Sequence, residues 1–231
     1  MSFINKLIED LKQISIDAGN AIMEIYQDET KFGVTEKSDS SPLTLADQKS
    51  NQVICDGLEK VAPNIPIISE ENKAIAYEER AQFSYAWLVD PMDGTKEFIK
   101  RNGEFTTNIA LIKNGAIILG MVYVPVTEEL FWAVKDEGAF MSIGKGEPQK
   151  LTAPSFTMKD KGLKVVCSRS HLNDATAQFI EQLDEPDQVS KGSSLKFLIL
   201  AQGGAHVYPR LAPTMEWDTG AAQIILEEAG G

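Results

Sequence analysis

Residue types that commonly make reactive or metal-binding clusters are scarce here. The 231-residue chain has two cysteines, Cys55 and Cys167, and two histidines, His171 and His206. The cysteines are far apart in sequence, which excludes a disulfide framework and favours a reducing compartment. Neither is followed by the phosphate-cradling loop and arginine of a thiol phosphatase, so both read as packing residues. The histidines are too few and too separated for a histidine metal cluster. Positive charge is also short: 22 Lys and Arg stand against 34 Asp and Glu, a formal net charge of −12. That balance disfavours a nucleic-acid backbone or an anionic lipid surface as partner. The N-terminus MSFINKLIEDLKQ has neither the basic start nor the continuous apolar core of a signal peptide, and no transmembrane segment is read. The expectation is a cytoplasmic protein, free or peripheral at the inner face of the cell membrane.

What is present is a folding sequence. Hydrophobic residues make up 43% and charged residues 24%, enough for one large domain or two closely packed halves. Phe3, Leu7, Leu11, Ile14, Ala18, Ile22 and Ile25 recur three or four apart and predict an amphipathic helix. Residues 27–44 read as a polar loop or irregular hairpin. A second helix is predicted over Leu45–Leu58, with Thr44 as N-cap and Asp47 in its first turn. Ile67–Ile68 and Tyr85–Val89 are short apolar strands, each ending in acids: Glu70 and Glu71 after the first, Asp90 after the second. Asn108–Val124 and Glu129–Val134 read as a meander turning at Asn114-Gly115 and near Pro125. Leu163–Cys167 is a further strand, Ala175–Leu183 a helix, Asp184–Gly192 a polar turn, Ser194–Gln202 helical, His206–Tyr208 extended, and Asp218–Glu228 a helix closed by Gly230. No internal repeat appears.

The acids carry the chemistry. In WLVDPMDGTKEF, Trp87 to Phe98, Asp90 and Asp93 sit at one turn, and carboxylates that close repel unless a proton or cation lies between them. Mg²⁺ takes oxygen ligands and is commonly held by few carboxylates plus substrate phosphate. Glu70, Asp90, Asp93 and Asp218 supply such ligands, with the Met92 carbonyl able to add another and Asp90 the natural bridge between two ions. Gly94 and Thr95 open a short predicted helix whose free N–H groups suit a phosphate oxygen. Thr95 paired with Asp47 provides a route for the proton of an attacking water. Taken alone, the same acids also read as a solvated surface or helix caps. Phosphatases that form an aspartyl phosphate use Asp-x-Asp-Gly-Thr; here the acids are three apart, so hydrolysis by metal-bound water is expected instead.

WLVDPMDGTKEF, the SEEN of Ser69–Asn72 and WDTGAAQIILEEAGG of Trp217–Gly231 together resemble the lithium-sensitive, Mg²⁺-dependent phosphatases that include inositol monophosphatase and fructose-1,6-bisphosphatase. GSSLKF of Gly192–Phe197 and AHVYPRLAPTMEWD up to Asp218 look most like the 3′(2′),5′-bisphosphate nucleotidase branch. The resemblance spans essentially the whole chain. It implies an α/β (α+β) fold, a layered α-β-α-β-α sandwich with the site where two packed halves meet: a metal-binding half of about 1–150 and a nucleotide-binding half of about 151–231. It implies Glu70, Asp90, Met92, Asp93 and Asp218 as metal ligands for two or more Mg²⁺ ions. Asp47, Thr95 and Glu70 correspond to the groups that activate water, and Gly94, Thr95 and Asp218 to groups that bind substrate. His171, Ser193, Lys196 and Arg210 match positions around adenine, ribose and the second phosphate. As bare residues, Lys196 and Arg210 read more readily as surface charges and His171 as a helix cap. Members of the family usually continue some tens of residues past the Gly-Gly, so the C-terminal end is expected to be truncated.

The activity implied is removal of the 3′-phosphate of adenosine 3′,5′-bisphosphate, with its 5′-phosphosulfate analogue as a second substrate, in sulfur assimilation. An inositol monophosphatase or sugar bisphosphatase with the same metals is the nearest alternative. A non-catalytic nucleotide-binding or metal-sensing protein on the same scaffold is the alternative of another class.

Overall fold

Alternation of apolar residues on two faces of one sheet organises the molecule. The computed structural model describes residues 3–37, 42–168 and 173–231. In chain order the first elements are α1 (Phe3–Tyr26), β1 (Thr35–Glu36), β2 (Pro42–Leu43), α2 (Leu45–Val61), β3 (Ile67–Ser69), α3 (Tyr77–Arg80), β4 (Tyr85–Asp93), α4 (Thr95–Ile99) and β5 (Thr106–Lys113). There follow β6 (Ala116–Val124), β7 (Glu129–Val134), β8 (Gly138–Ile143), β9 (Gln149–Lys150), β10 (Lys164–Ser168), α5 (Asp174–Ile180), β11 (Asp187–Lys191), α6 (Leu195–Ala201) and α7 (Glu216–Glu228).

A seven-stranded sheet runs β3-β4-β5-β6-β7-β8-β9, parallel at β3/β4 and antiparallel elsewhere. Successive side chains of a strand point to opposite faces. Trp87, Val89, Ile109, Leu111, Met121 and Trp132 therefore pack on one side against Leu7, Leu11 and Ala18 of α1 and Ile54 and Leu58 of α2. Leu88, Ala110, Val122, Phe131 and Ala133 face the other way, against Leu198 of α6 and Ala221, Ile224 and Ile225 of α7. Behind those helices lies a second, parallel sheet of β10 and β11, reached through Val166, Leu200 and Ala205. On its outer side Leu163, Val165 and Cys167 pack on Ile180 and Leu183 at and beyond the end of α5. Four apolar interfaces thus separate five layers, the α-β-α-β-α sandwich.

Close approach makes the α7 interface selective: a Cβ at Gly120 of β6 would stand 2.3 Å from the Ala221 carbonyl and 2.5 Å from Ile224. Among the described residues no helix is long and apolar enough to cross a membrane.

Most predicted elements are present, and the differences have local causes. The polar 184–192 stretch is not only a turn: Asp187–Lys191 forms β11, an exposed strand whose pairing with β10 lacks apolar alternation to announce it. The strand predicted to end at Val89 continues to Asp93 through a bulge. Helix α7 starts at Glu216, before Asp218. The 27–44 region does form a small hairpin, β1 with β2. Both cysteines are free, Cys167 buried and Cys55 half-buried, and burial raises both thiol pKa values.

Candidate active site

The two acids of the opening motif are three apart, and in a regular strand an odd spacing would send them to opposite faces. The sheet register shifts between Asp90, which pairs with Asn108, and Asp93, which pairs with Thr106. This bulge inserts an extra residue and re-aims the strand end, so both carboxylates reach one cavity of about 280 Å³. Glu70, Met92, Gly94, Thr95 and Asp218 line the same cavity, as do Ser193, Lys196, Tyr208 and Arg210. The cavity thus draws on β3, β4, α4, α6 and α7, the sheet end and the helices packed on it.

Several contacts fix the acidic wall. Ser50 of α2 donates to the Pro91 carbonyl at 2.7 Å, and Met92 N–H donates to Asp90 Oδ1 at 3.0 Å. Asn51 accepts from the Ser69 hydroxyl at 2.6 Å, holding the end of β3. Gly94 has φ +100°, and a Cβ there would meet the Glu104 carbonyl at 2.8 Å; only glycine takes that turn without strain. Beneath α4, Phe98 packs with Tyr26, Phe32 and Phe105 at ring separations of 5.2, 4.7 and 5.3 Å.

Asp47 does not line the cavity. It lies buried behind Thr95, whose hydroxyl donates to Asp47 Oδ1 at 3.0 Å. The other oxygen, Oδ2, accepts from Thr44 N–H at 2.7 Å and from the Thr44 hydroxyl at 2.6 Å, closing a capping box at the start of α2. Thr95 is also 3.5 Å from the Met92 carbonyl. Asp218 Oδ2 accepts from the Thr214 hydroxyl at 2.7 Å and Met215 N–H at 2.9 Å.

The electrostatics are those of acids crowded away from water. Burial, then the charges of Glu70, Asp93, Asp218 and Asp47, push Asp90 well above the usual carboxylate range. Asp93 is pushed up to about 7, chiefly by burial and then by Asp218 and Glu70, against the opposing pull of Lys196. Burial also raises Asp47 despite the threonine hydrogen bonds it accepts. Asp90 is 1% exposed, and among the described residues its hydrogen-bond donor is one backbone N–H. Such a donor set, oxygen only and in need of positive charge, fits hard divalent cations. As placed, no three His, Cys, Asp or Glu side chains among the described residues are close enough to hold one ion together. Each acid instead leans on a protein donor.

One such donor was not anticipated. Lys37, at the end of the β1 arm, places Nζ 2.7 Å from Glu70 Oε1 and 2.5 Å from Glu71 Oε1. Burial opposes its charge, but the two carboxylates outweigh that and raise its pKa. Nothing in TEKSDSSPL marks this lysine among its polar neighbours; only the long-range hairpin brings it to the acids. Also unannounced are Thr106 and Ser194, whose hydroxyls pair at 2.7 Å, and Glu104, which accepts from Gly192 N–H at 2.8 Å. These tie the 192–196 turn to β5 and the acidic wall.

Of the residues expected around a nucleotide, Ser193, Lys196 and Arg210 reach the cavity. Lys196 is 8% exposed and donates to the Ser193 carbonyl; neither it nor Arg210, which donates to the Pro213 carbonyl at 2.9 Å, is a free surface charge. His171 lies outside the described residues. His206 stays out of the cavity and accepts from Lys164 N–H at 2.9 Å.

Comparison with known proteins places this architecture. Residues 5–231 match the profile of the inositol monophosphatase family. The 3′(2′),5′-bisphosphate nucleotidase CysQ of Salmonella typhimurium is 42% identical over 225 residues, 97% of this chain and 88% of the relative. That of Escherichia coli K12 is 41% identical over the same shares. The crystal structure of CysQ from Bacteroides thetaiotaomicron, described as a bacterial member of the inositol monophosphatase family, superposes with a TM-score of 0.80 at 39% identity, covering 94% of this chain and 84% of that one. Enzymes of this family are metal-dependent phosphatases. With residues 5–231 matched and its acids gathered at one sheet end, the chain belongs to the inositol monophosphatase family.

Proposed function

We propose that this protein removes the 3′-phosphate of adenosine 3′,5′-bisphosphate to give AMP and inorganic phosphate, with 3′-phosphoadenylyl sulfate as a second substrate, in the cytoplasm and in the service of sulfur assimilation. The observation that carries the reading is the cavity's mixed lining, in which Lys196 and Arg210 join Glu70, Asp90, Asp93 and Asp218 and would meet a second anionic group of the substrate. A monophosphate leaves those cations unanswered. The relatives named as 3′(2′),5′-bisphosphate nucleotidases support the same choice. The site is built from both halves of one domain, roughly residues 1–150 and 151–231.

Glu70, Asp90, Asp93, Asp218 and the Met92 carbonyl would hold two or more Mg²⁺ ions, which neutralise phosphate charge and acidify water when bound. The chain's own residues do the rest. The turn at Gly94 and the first N–H groups of α4 face the phosphate oxygens. Thr95 accepts a proton from the attacking water while passing its own to Asp47 Oδ1, 3.0 Å away. Asp47 suits the acceptor's role because burial raises its pKa and Thr44 fixes its orientation. Water attacks phosphorus, the bond to the ribose 3′-oxygen breaks, and that oxygen takes a proton from solvent.

Phosphate release from adenosine 3′,5′-bisphosphate, 3′-phosphoadenylyl sulfate and inositol 1-phosphate, with and without Mg²⁺, tests the proposal. The bisphosphate should give the highest kcat/KM, with turnover abolished by chelation. Preference for inositol 1-phosphate would reject it.

A further inference from the structure

The geometry points to Tyr208 as the positioning residue that holds Lys196 and Arg210 together on the substrate's second anionic group. This rests on the bisphosphate reading above and adds a residue to it. Tyr208 lines the cavity together with both cations. Lys196 Nζ lies 5.7 Å from the centroid of its ring, within reach of the ring's negative face. The ring is itself held edge-on by Phe197, at 5.3 Å and 86°.

Two like charges do not gather unaided. Arg210 opposes the charge on Lys196, whose pKa burial already lowers, while Asp93, Glu97 and Glu104 pull the other way. Burial pushes the Tyr208 hydroxyl up to about 12, with Arg210 acting against that rise both by charge and by hydrogen bond. The phenol therefore remains a neutral hydroxyl beside the guanidinium while its ring faces the ammonium. Each cation has one further anchor, a carbonyl: Ser193 for Lys196 and Pro213 for Arg210. One carbonyl each fixes an end of a long side chain; the shared tyrosine fixes their mutual spacing. Without the ring, Lys196 would be drawn toward Asp93, the carboxylate that most favours its charge, and so leave the second anion.

The role predicts a specific kinetic signature. Wild type, Tyr208→Leu and Tyr208→Phe are compared on adenosine 3′,5′-bisphosphate and adenosine 3′-monophosphate. Tyr208→Leu should reduce the bisphosphate-to-monophosphate ratio of kcat/KM about tenfold, the loss appearing in KM for the bisphosphate more than in kcat. Tyr208→Phe keeps the ring face under Lys196 but loses the hydroxyl beside Arg210, and should recover only part of that ratio. If the Leu variant melts early, Tyr208→Met fills the same space and takes its place. Equal losses on both substrates, a retained ratio in the Leu variant, or a Phe variant as damaged as Leu would each overturn the role. The wild-type arm separates the two ideas: no wild-type preference for the bisphosphate removes the parent reading and this role with it, whereas a wild-type preference that survives Tyr208→Leu removes only the role of Tyr208.

Discussion

Stripping divalent cations from this protein should make its stability fall as pH rises, and restoring them should abolish that dependence. Burial and the neighbouring acids push Asp93 up to about 7 from an ordinary 3.8, and Asp90 is raised in the same direction. A carboxyl whose pKa is raised by folding binds more protons in the native state, so stability is greatest at low pH and is lost as pH climbs from about 4 through the folded pKa. For Asp93 alone, full ionisation costs at most about 4 kcal/mol. With the folded pKa near 7, about half of this, about 2 kcal/mol, is lost between pH 5.5 and 8, and the rest below pH 5.5. In a chain of this size that corresponds to a fall in Tm of roughly 4–8 °C between pH 5.5 and 8. A bound divalent cation supplies the missing positive charge, lowers both pKa values and flattens the profile. The assay is a set of thermal melts at pH 5.5, 6.5, 7.5 and 8, each with chelator and with Mg²⁺. Were the chelated protein's Tm flat or rising across that range, the account of uncompensated acids in the cavity would be wrong.

Other substitutions probe separate parts of the site. Thr95→Ala should lower kcat by at least about 100-fold with little change in Tm, as expected for a lost proton relay; stopped-time phosphate release measures it. Asp47→Asn should lose comparable activity and also about 1 kcal/mol of stability, because the same side chain caps α2, which urea unfolding would register. Lys37→Gln should tighten divalent-ion binding severalfold by releasing Glu70 and Glu71 from their ammonium, read by calorimetry without substrate; weaker binding would show that Lys37 organises these acids instead of competing at them. Gly120→Ala should cost about 2 kcal/mol or more, since its Cβ meets the backbone of α7, with the midpoint of denaturant unfolding as the readout.

The acids were legible because their chemistry is local: Asp90, Asp93, Gly94 and Thr95 occupy one short stretch, and glycine after paired carboxylates marks a turn that few residue types can make. Helices α1, α2 and α7 were legible from apolar period. The bulge that turns Asp90 and Asp93 the same way was not, since sequence spacing alone predicts opposite faces and only the pairing with Asn108 and Thr106 reveals the inserted residue. β11 was missed because its residues are mostly exposed and polar, and its partner lies far away in the chain. Lys37 escaped for the same reason: its meaning resides entirely in acids more than thirty residues away.

Asp47 divides its duties between two oxygens, and that division has a mechanical consequence. A proton delivered to Oδ1 leaves Oδ2 a carbonyl-like acceptor, still able to receive Thr44 N–H and hydroxyl. In the proposed mechanism each turnover would therefore load and discharge the acid without fraying the helix that carries it. Chemistry and scaffold would then share a side chain while wearing on different atoms, and the proposed catalyst would reset to the same geometry after every cycle.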